Sequence, residues 1–231
     1  PELGFLGAAW ATLISRVLMM VLMGAYVLYS KRYADFGLRI LRFKPNWTLC
    51  KRVLKIGIPT GFQFIFEVSA FSAAAIMMGW IGVNALAGHQ IALNLASISY
   101  MMATGLATAG MIRVSHYVGK EDYKGMREAG MVAFGMVATF MFVCALLFFL
   151  LRFFLPTLYI DDPQVISLAA SLLVLAGLFQ LSDGIQVVGL GVLRGLEDVK
   201  VPTIVTFLAY WGLGLPLGYF LAFKMDFAEK G

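Results

Sequence analysis

Glu67 and Asp183 are acids inside apolar runs long enough to cross a bilayer. A charge at the centre of a membrane helix costs about 2.5–3.5 kcal/mol on insertion scales. A carboxylate held at that depth can bind a proton, a Na+ ion or an organic cation, but hardly all at once. That makes it a place where two fluxes can compete. Gln63 lies four residues before Glu67 on the same helical face, and Phe71 extends that face by a turn. Gln180, Ser182 and Gln186 cluster around Asp183, with Phe179 one turn before it. A third run carries His89, Gln90 and Asn94. Gln90 and Asn94 share a face that must look into protein, either bonding a neighbouring helix or lining a wet cavity. His89 reads as a helix-end or interface histidine. The bland alternative for both acids is a bond to a nearby Gln or Ser with no further role.

The elements that position these residues follow from composition. Of 231 residues, 61% are hydrophobic and 13% charged, against about 25% charged in a soluble domain. Six apolar runs are long enough to span, at about 5–29, 53–79, 84–112, 129–155, 164–193 and 201–223. The fold expected is all-α and polytopic. The basic residues lie between the runs, which argues against nucleic acid as a partner. Cys50 and Cys144 stand far apart in unlike surroundings, so neither a disulfide nor a metal-ligand spacing is expected. The sequence holds no GxSxG, HExxH, Walker loop or GxGxxG, and nothing in it reads as an enzyme or calls for a cofactor. The start at Pro1-Glu2-Leu3-Gly4 reads as part of a longer chain, and the first run does not read as a signal peptide.

The connections set the orientation. The segments 31–55, 113–127 and 194–200 hold 14 of the 18 Lys and Arg residues, on alternate connections. The connection 80–83 holds none, and neither does 156–163, which carries Asp161 and Asp162. The positive-inside rule makes the three basic connections cytoplasmic. Aromatic and aliphatic residues among the charges of 31–52 fit either an amphipathic piece on the membrane surface or a plain solvated linker. Glu67 then lies roughly 21 Å and Asp183 roughly 15 Å from the cytoplasmic ends of antiparallel helices, at 1.5 Å per residue. Both are near mid-membrane and able to face one cavity. Pro59 falls near a helix start, and Pro216 between Gly214 and Gly218 should kink or unwind the last helix. The fourth run, rich in Phe, reads as facing lipid.

The order of these features resembles the multidrug and toxic compound extrusion (MATE) family of efflux transporters. The matching residues are Gly57-Ile58-Pro59 with Glu67, His89 to Asn94, Arg113-Val114 with Gly119, Asp183 with Arg194-Gly195 and Asp198, and Tyr210-Trp211 with Leu215-Pro216. The resemblance runs nearly end to end. It implies a twelve-helix, two-lobe transporter of which this chain supplies helices six to eleven. Residues 1–30 would be the last helix of the N-terminal lobe, 31–52 the cytoplasmic inter-lobe connection, and 53–231 five of the six helices of the C-terminal lobe. The rest of the N-terminal lobe and the final helix would be the missing partners. The implied activity is an antiport in a bacterial inner membrane. Amphipathic or cationic drugs would leave in exchange for H+ or Na+, with Glu67 and Asp183 binding coupling ion and substrate. Gln63, Gln90, Asn94 and Phe179 are the candidate cavity lining. The rival is a flippase for a lipid-linked saccharide. It should present several basic residues to a pyrophosphate, where this chain offers acids and amides.

Overall fold

Helix follows wherever the apolar runs lie, because a chain in lipid must satisfy its backbone hydrogen bonds internally. The structure, a computed structural model, describes residues 4–30 and 46–224. The helices are α1 (Gly4–Tyr29), α2 (Trp47–Ile81), α3 (Val83–Gly119), α4 (Tyr123–Leu150), the single turn α5 (Phe154–Thr157), α6 (Pro163–Gly195), α7 (Lys200–Phe207) and α8 (Leu215–Lys224). A π-helical stretch, Leu208–Gly214, joins α7 to α8. Among the described residues six helices are long and apolar enough to cross a membrane, with α7, the π stretch and α8 counting as one. The chain divides into two units, residues 1–50 and 51–231. In the first, Thr12 and Ser15 of α1 bond back to the carbonyls of Ala8 and Ala11. Of the segment 31–52, read as a connection with an amphipathic piece, residues 31–45 lie outside the described residues, and residues 47–52 already belong to α2.

Several boundaries differ from the hydropathy reading. α2 has 35 residues and α3 has 37, roughly 52 and 55 Å at 1.5 Å per residue, against a hydrocarbon core of about 30 Å. Their ends project beyond it, where charged side chains are solvated and the backbone ladder simply continues. The expected basic connection 113–127 is therefore mostly helix, broken only at residues 120–122. Pro59 is interior to α2 and not at its start. Asp122 and Asp162 are N-caps: they accept from the amides of Gly125 at 2.9 Å and Gln164 at 2.8 Å.

In the second unit α3, α4 and α6 form the packed centre. Lipid supplies no hydrophobic force between helices, so close approach depends on small residues. A Cβ placed on Gly191 would lie 2.8 Å from the carbonyl oxygen of Ala107, and one on Gly195 would lie 2.8 Å from that of Met111. These matched pairs mean that α3 and α6 run parallel. α4 runs antiparallel to both, with Gly184 of α6 against Met141 and Gly110 of α3 against Ala133. α4 thus has a buried face of Gly130, Ala133, Val137, Met141 and Phe148, and only its other side, with Phe142 and Phe149, is exposed.

The packed centre has two apolar clusters. One is built on Leu95, Phe148, Ala169 and Leu173, the other on Ala103, Val137, Met141 and Val188. Between them along the helices lie the buried polar residues Ser99 and Gln180. This polar layer sets the height of the candidate site.

Candidate functional site

Helical spacing places Gln63 and Glu67 on the inner face of α2, where they are 1% and 9% exposed. Tyr100 of α3 donates its hydroxyl to Glu67 Oε1 at 2.7 Å. The parallel register of α3 and α6 brings Asp183 level with Ser99 and Tyr100. Asp183, half-buried, stands within electrostatic reach of Glu67, and both acids are within reach of Tyr100 and Tyr210. The two acids of the sequence reading thus belong to one layer of the bundle.

One turn toward the basic end, Gln63 is fully engaged. Its Oε1 accepts from Arg194 Nη2 at 2.9 Å, and its Nε2 donates to Thr203 Oγ1 at 3.1 Å and to the carbonyl of Val199 at 3.4 Å. The Thr203 hydroxyl also lies 2.6 Å from the carbonyl of Val199 and 3.2 Å from that of Pro59. The Arg194 guanidinium sits 5.0 Å above the Phe64 ring. α2, the end of α6 and the start of α7 are tied together here. On the surface of the same end, Arg52 pairs with Glu197 at 2.6 Å, an exposed contact that contributes little.

Two of the cavities along α2 bear on this layer. The first, about 50 Å³, is lined by Glu67, Tyr100, Thr104, Thr108, Gly191 and Arg194 among others. It has room for a water or a small ion and is far below the 300–1,000 Å³ of a drug-sized site. The second, about 240 Å³ and mostly apolar, is lined by Phe71, Met77, Met78, Tyr210, Gly214 and Gly218 among others. Tyr210 bounds it and accepts from Gln186 Nε2 at 3.3 Å. Trp211 donates to the carbonyl of Phe66 at 3.3 Å.

The other candidates fall elsewhere. Phe179 is exposed on α6. Gln90 and Asn94 are exposed on α3 and line neither cavity that borders Glu67 or Tyr210. Asn94 accepts from Tyr159 at 2.9 Å, beyond α5. They share a face with each other, but Tyr100 leaves α3 in another direction. His89 is half-buried near the start of α3. Its Nε2 has no partner among the described residues.

Two residues of the site escaped the sequence reading. Tyr100 is near the centre of the third apolar run, at the depth of Glu67, and a deep tyrosine hydroxyl needs a partner. That depth match was the available signal. Arg194 reads from the sequence as a connection residue because charge ends the hydropathy run. It is the last turn of α6, with its side chain turned inward.

The expected break in the last helix takes the form of the π stretch, which ends two residues before Pro216. Pro216 has no amide hydrogen, and its ring crowds the carbonyl four residues back. Widening that turn relieves the conflict. π turns recur at functional sites.

Comparison with known proteins accords with this arrangement. The chain is 40% identical over its whole length to the probable multidrug resistance protein NorM of Mesorhizobium japonicum, covering 50% of that protein. It is 38% identical over 96% of its length to the multidrug resistance protein MdtK of Pectobacterium atrosepticum, covering 49%. It therefore spans about half the length of these relatives. The crystal structure of the eukaryotic MATE transporter AtDTX14 superposes with a TM-score of 0.87 over 98% of this chain and 51% of that one, at 22% identity, which establishes the fold. The MatE family model matches residues 59–220, a span that holds Glu67, Tyr100, Asp183 and Arg194, and the chain belongs to the MatE family.

Proposed function

We propose that the transporter carrying this chain is a secondary antiporter, not an enzyme. It exports amphipathic, often cationic compounds in exchange for H+ or Na+, with Glu67 and Asp183 as the acids over which ion and substrate alternate. The observation that carries the reading is the Glu67 cavity. It is walled by a carboxylate and three hydroxyls, lies within reach of a second carboxylate, and at about 50 Å³ suits an ion and excludes a drug. The larger apolar cavity bounded by Tyr210 fits the aromatic part of a substrate whose charge is drawn toward the acids. The relatives in the bacteria named above are called multidrug resistance proteins, which supports the substrate class and an inner-membrane location. Coverage of about half of each relative supports the assignment of 1–30, 31–52 and 53–231 to the end of one lobe, the inter-lobe connection and most of a second lobe. Pro59 inside α2 and the π stretch before Pro216 supply bending points for alternating access. A saccharide flippase is not favoured, because the deep layer carries two carboxylates and a single guanidinium where a pyrophosphate needs several cations.

The test is Glu67→Gln and Asp183→Asn in the complete transporter. Each should abolish ion-driven efflux from loaded vesicles while inserting normally. Transport at the parental rate in both variants would make the pair structural and end this proposal.

A further inference from the structure

The geometry points to Arg194 as a tethered counter-ion for Glu67. Its guanidinium parks on the neutral amide of Gln63 while a cation occupies the carboxylate, and moves one helical turn along α2 onto the carboxylate when the cation leaves. The inference rests on reading Glu67 as the coupling acid.

An arginine does not lose its proton in a protein, so a half-buried guanidinium needs an anion nearby. Arg194 has one within reach and does not touch it. Nη2 donates to Gln63, the guanidinium lies over Phe64, and Nε is buried with no acceptor among the described residues. Glu67 lines the same small cavity and acts electrostatically on Arg194. Among the described residues, however, the ion pair present is Arg52 with Glu197. Glu67 is four residues from Gln63, a rise of about 6 Å, within the sweep of an arginine side chain. Both side chains line the same cavity. A charged acceptor holds a guanidinium more strongly than an amide does, so a bare Glu67 draws Arg194 and an occupied one releases it.

Two cations then compete for one carboxylate. The departing cation is replaced by an internal one, so the empty site never stands as an uncompensated buried charge, and affinity is traded for release. Gln63 serves as the resting place because its amide is anchored to Val199 and Thr203. The position of Arg194 is thereby tied to α7, the element that leads into the π stretch.

The experiment measures binding of tetraphenylphosphonium to the complete transporter in detergent and its exchange rate in vesicles. Removing the competitor with Arg194→Gln should tighten binding about five- to tenfold and slow exchange. Arg194→Lys, which keeps the charge but loses the planar fork, should tighten it less. Gln63→Leu removes the resting place and should weaken binding. In a Glu67→Gln background the Arg194 effect should vanish. A purely structural role for the cluster predicts weaker binding from all of these variants. Unchanged or weaker binding in folded Arg194→Gln overturns the inference, and Arg194→Lys decides in the same way should Arg194→Gln not fold. Glu67→Gln alone separates the two readings. If it leaves binding intact, the coupling site is wrong; if it abolishes binding while Arg194 variants fail to tighten it, only the counter-ion is wrong.

Discussion

Tyr100 and Glu67, 33 residues apart on neighbouring helices, meet through a 2.7 Å hydrogen bond at the height where Ser99 and Gln180 interrupt the apolar core. The bond satisfies one oxygen of a deep carboxylate that lines a small cavity. Tyr100→Phe removes that donor and should destabilise the protein by about 1.5–3 kcal/mol, the range for a hydrogen bond to a charged group. In a Glu67→Gln background the loss should be roughly halved, because the acceptor is then neutral. Chemical or thermal unfolding in micelles across the double-mutant cycle reads the coupling, and additive losses would show that the bond contributes nothing specific.

Gln180 is 2% exposed, and neither end of its amide finds a partner among the described residues. An amide buried in this way costs about 1–3 kcal/mol. Gln180→Met, of similar volume, should raise stability by about 1 kcal/mol. Melting temperature in detergent checks this, and a fall would mean that the amide is satisfied in the folded protein.

Gly191 allows α3 and α6 to touch, since a Cβ there would meet the Ala107 carbonyl oxygen at 2.8 Å. That oxygen is backbone and cannot swing aside. Gly191→Val should cost about 1–3 kcal/mol from overpacking and reduce efflux by shifting the polar layer of α6 against that of α3. Gly105→Val, at a position with open space around it, is the control, and equal losses at both sites would refute the argument.

The turn at Lys120 and the segment holding Asp161 lie at opposite ends of the second unit. The parallel course of α3 and α6 places Lys120, Lys200 and the Arg52–Glu197 pair at one end. The positive-inside rule predicts that this end faces the cytoplasm. Single cysteines at Lys120 and Asp161, in a background lacking Cys50 and Cys144, should label with an impermeant thiol reagent from opposite sides of sealed vesicles. Labelling of both from one side would reverse the topology.

What the sequence determined by itself is whatever depends on local composition. Hydropathy adds up along a run, so six spanning helices and the intrusion of Glu67 and Asp183 into two of them were legible without any fold. Spacing of four residues put Gln63 beside Glu67 on one face, as found, because helical geometry is local. Run ends were misplaced because hydropathy stops at the first charge while the hydrogen-bond ladder does not, as at Arg113 and Lys51. The tertiary structure alone decided which faces meet. Gln90 and Asn94 share a face as expected, yet the rotation of α3 turns Tyr100 toward Glu67 and leaves them exposed. That rotation is set by where Gly191 and Gly195 let α6 approach Ala107 and Met111, a match between two helices that neither run encodes alone. Arg194 shows the same limit. Its charge marked a helix end in the sequence, and only the hydrogen bonds that join α2 to the end of α6 and the start of α7 turned that charge inward onto Gln63, one turn from the acid.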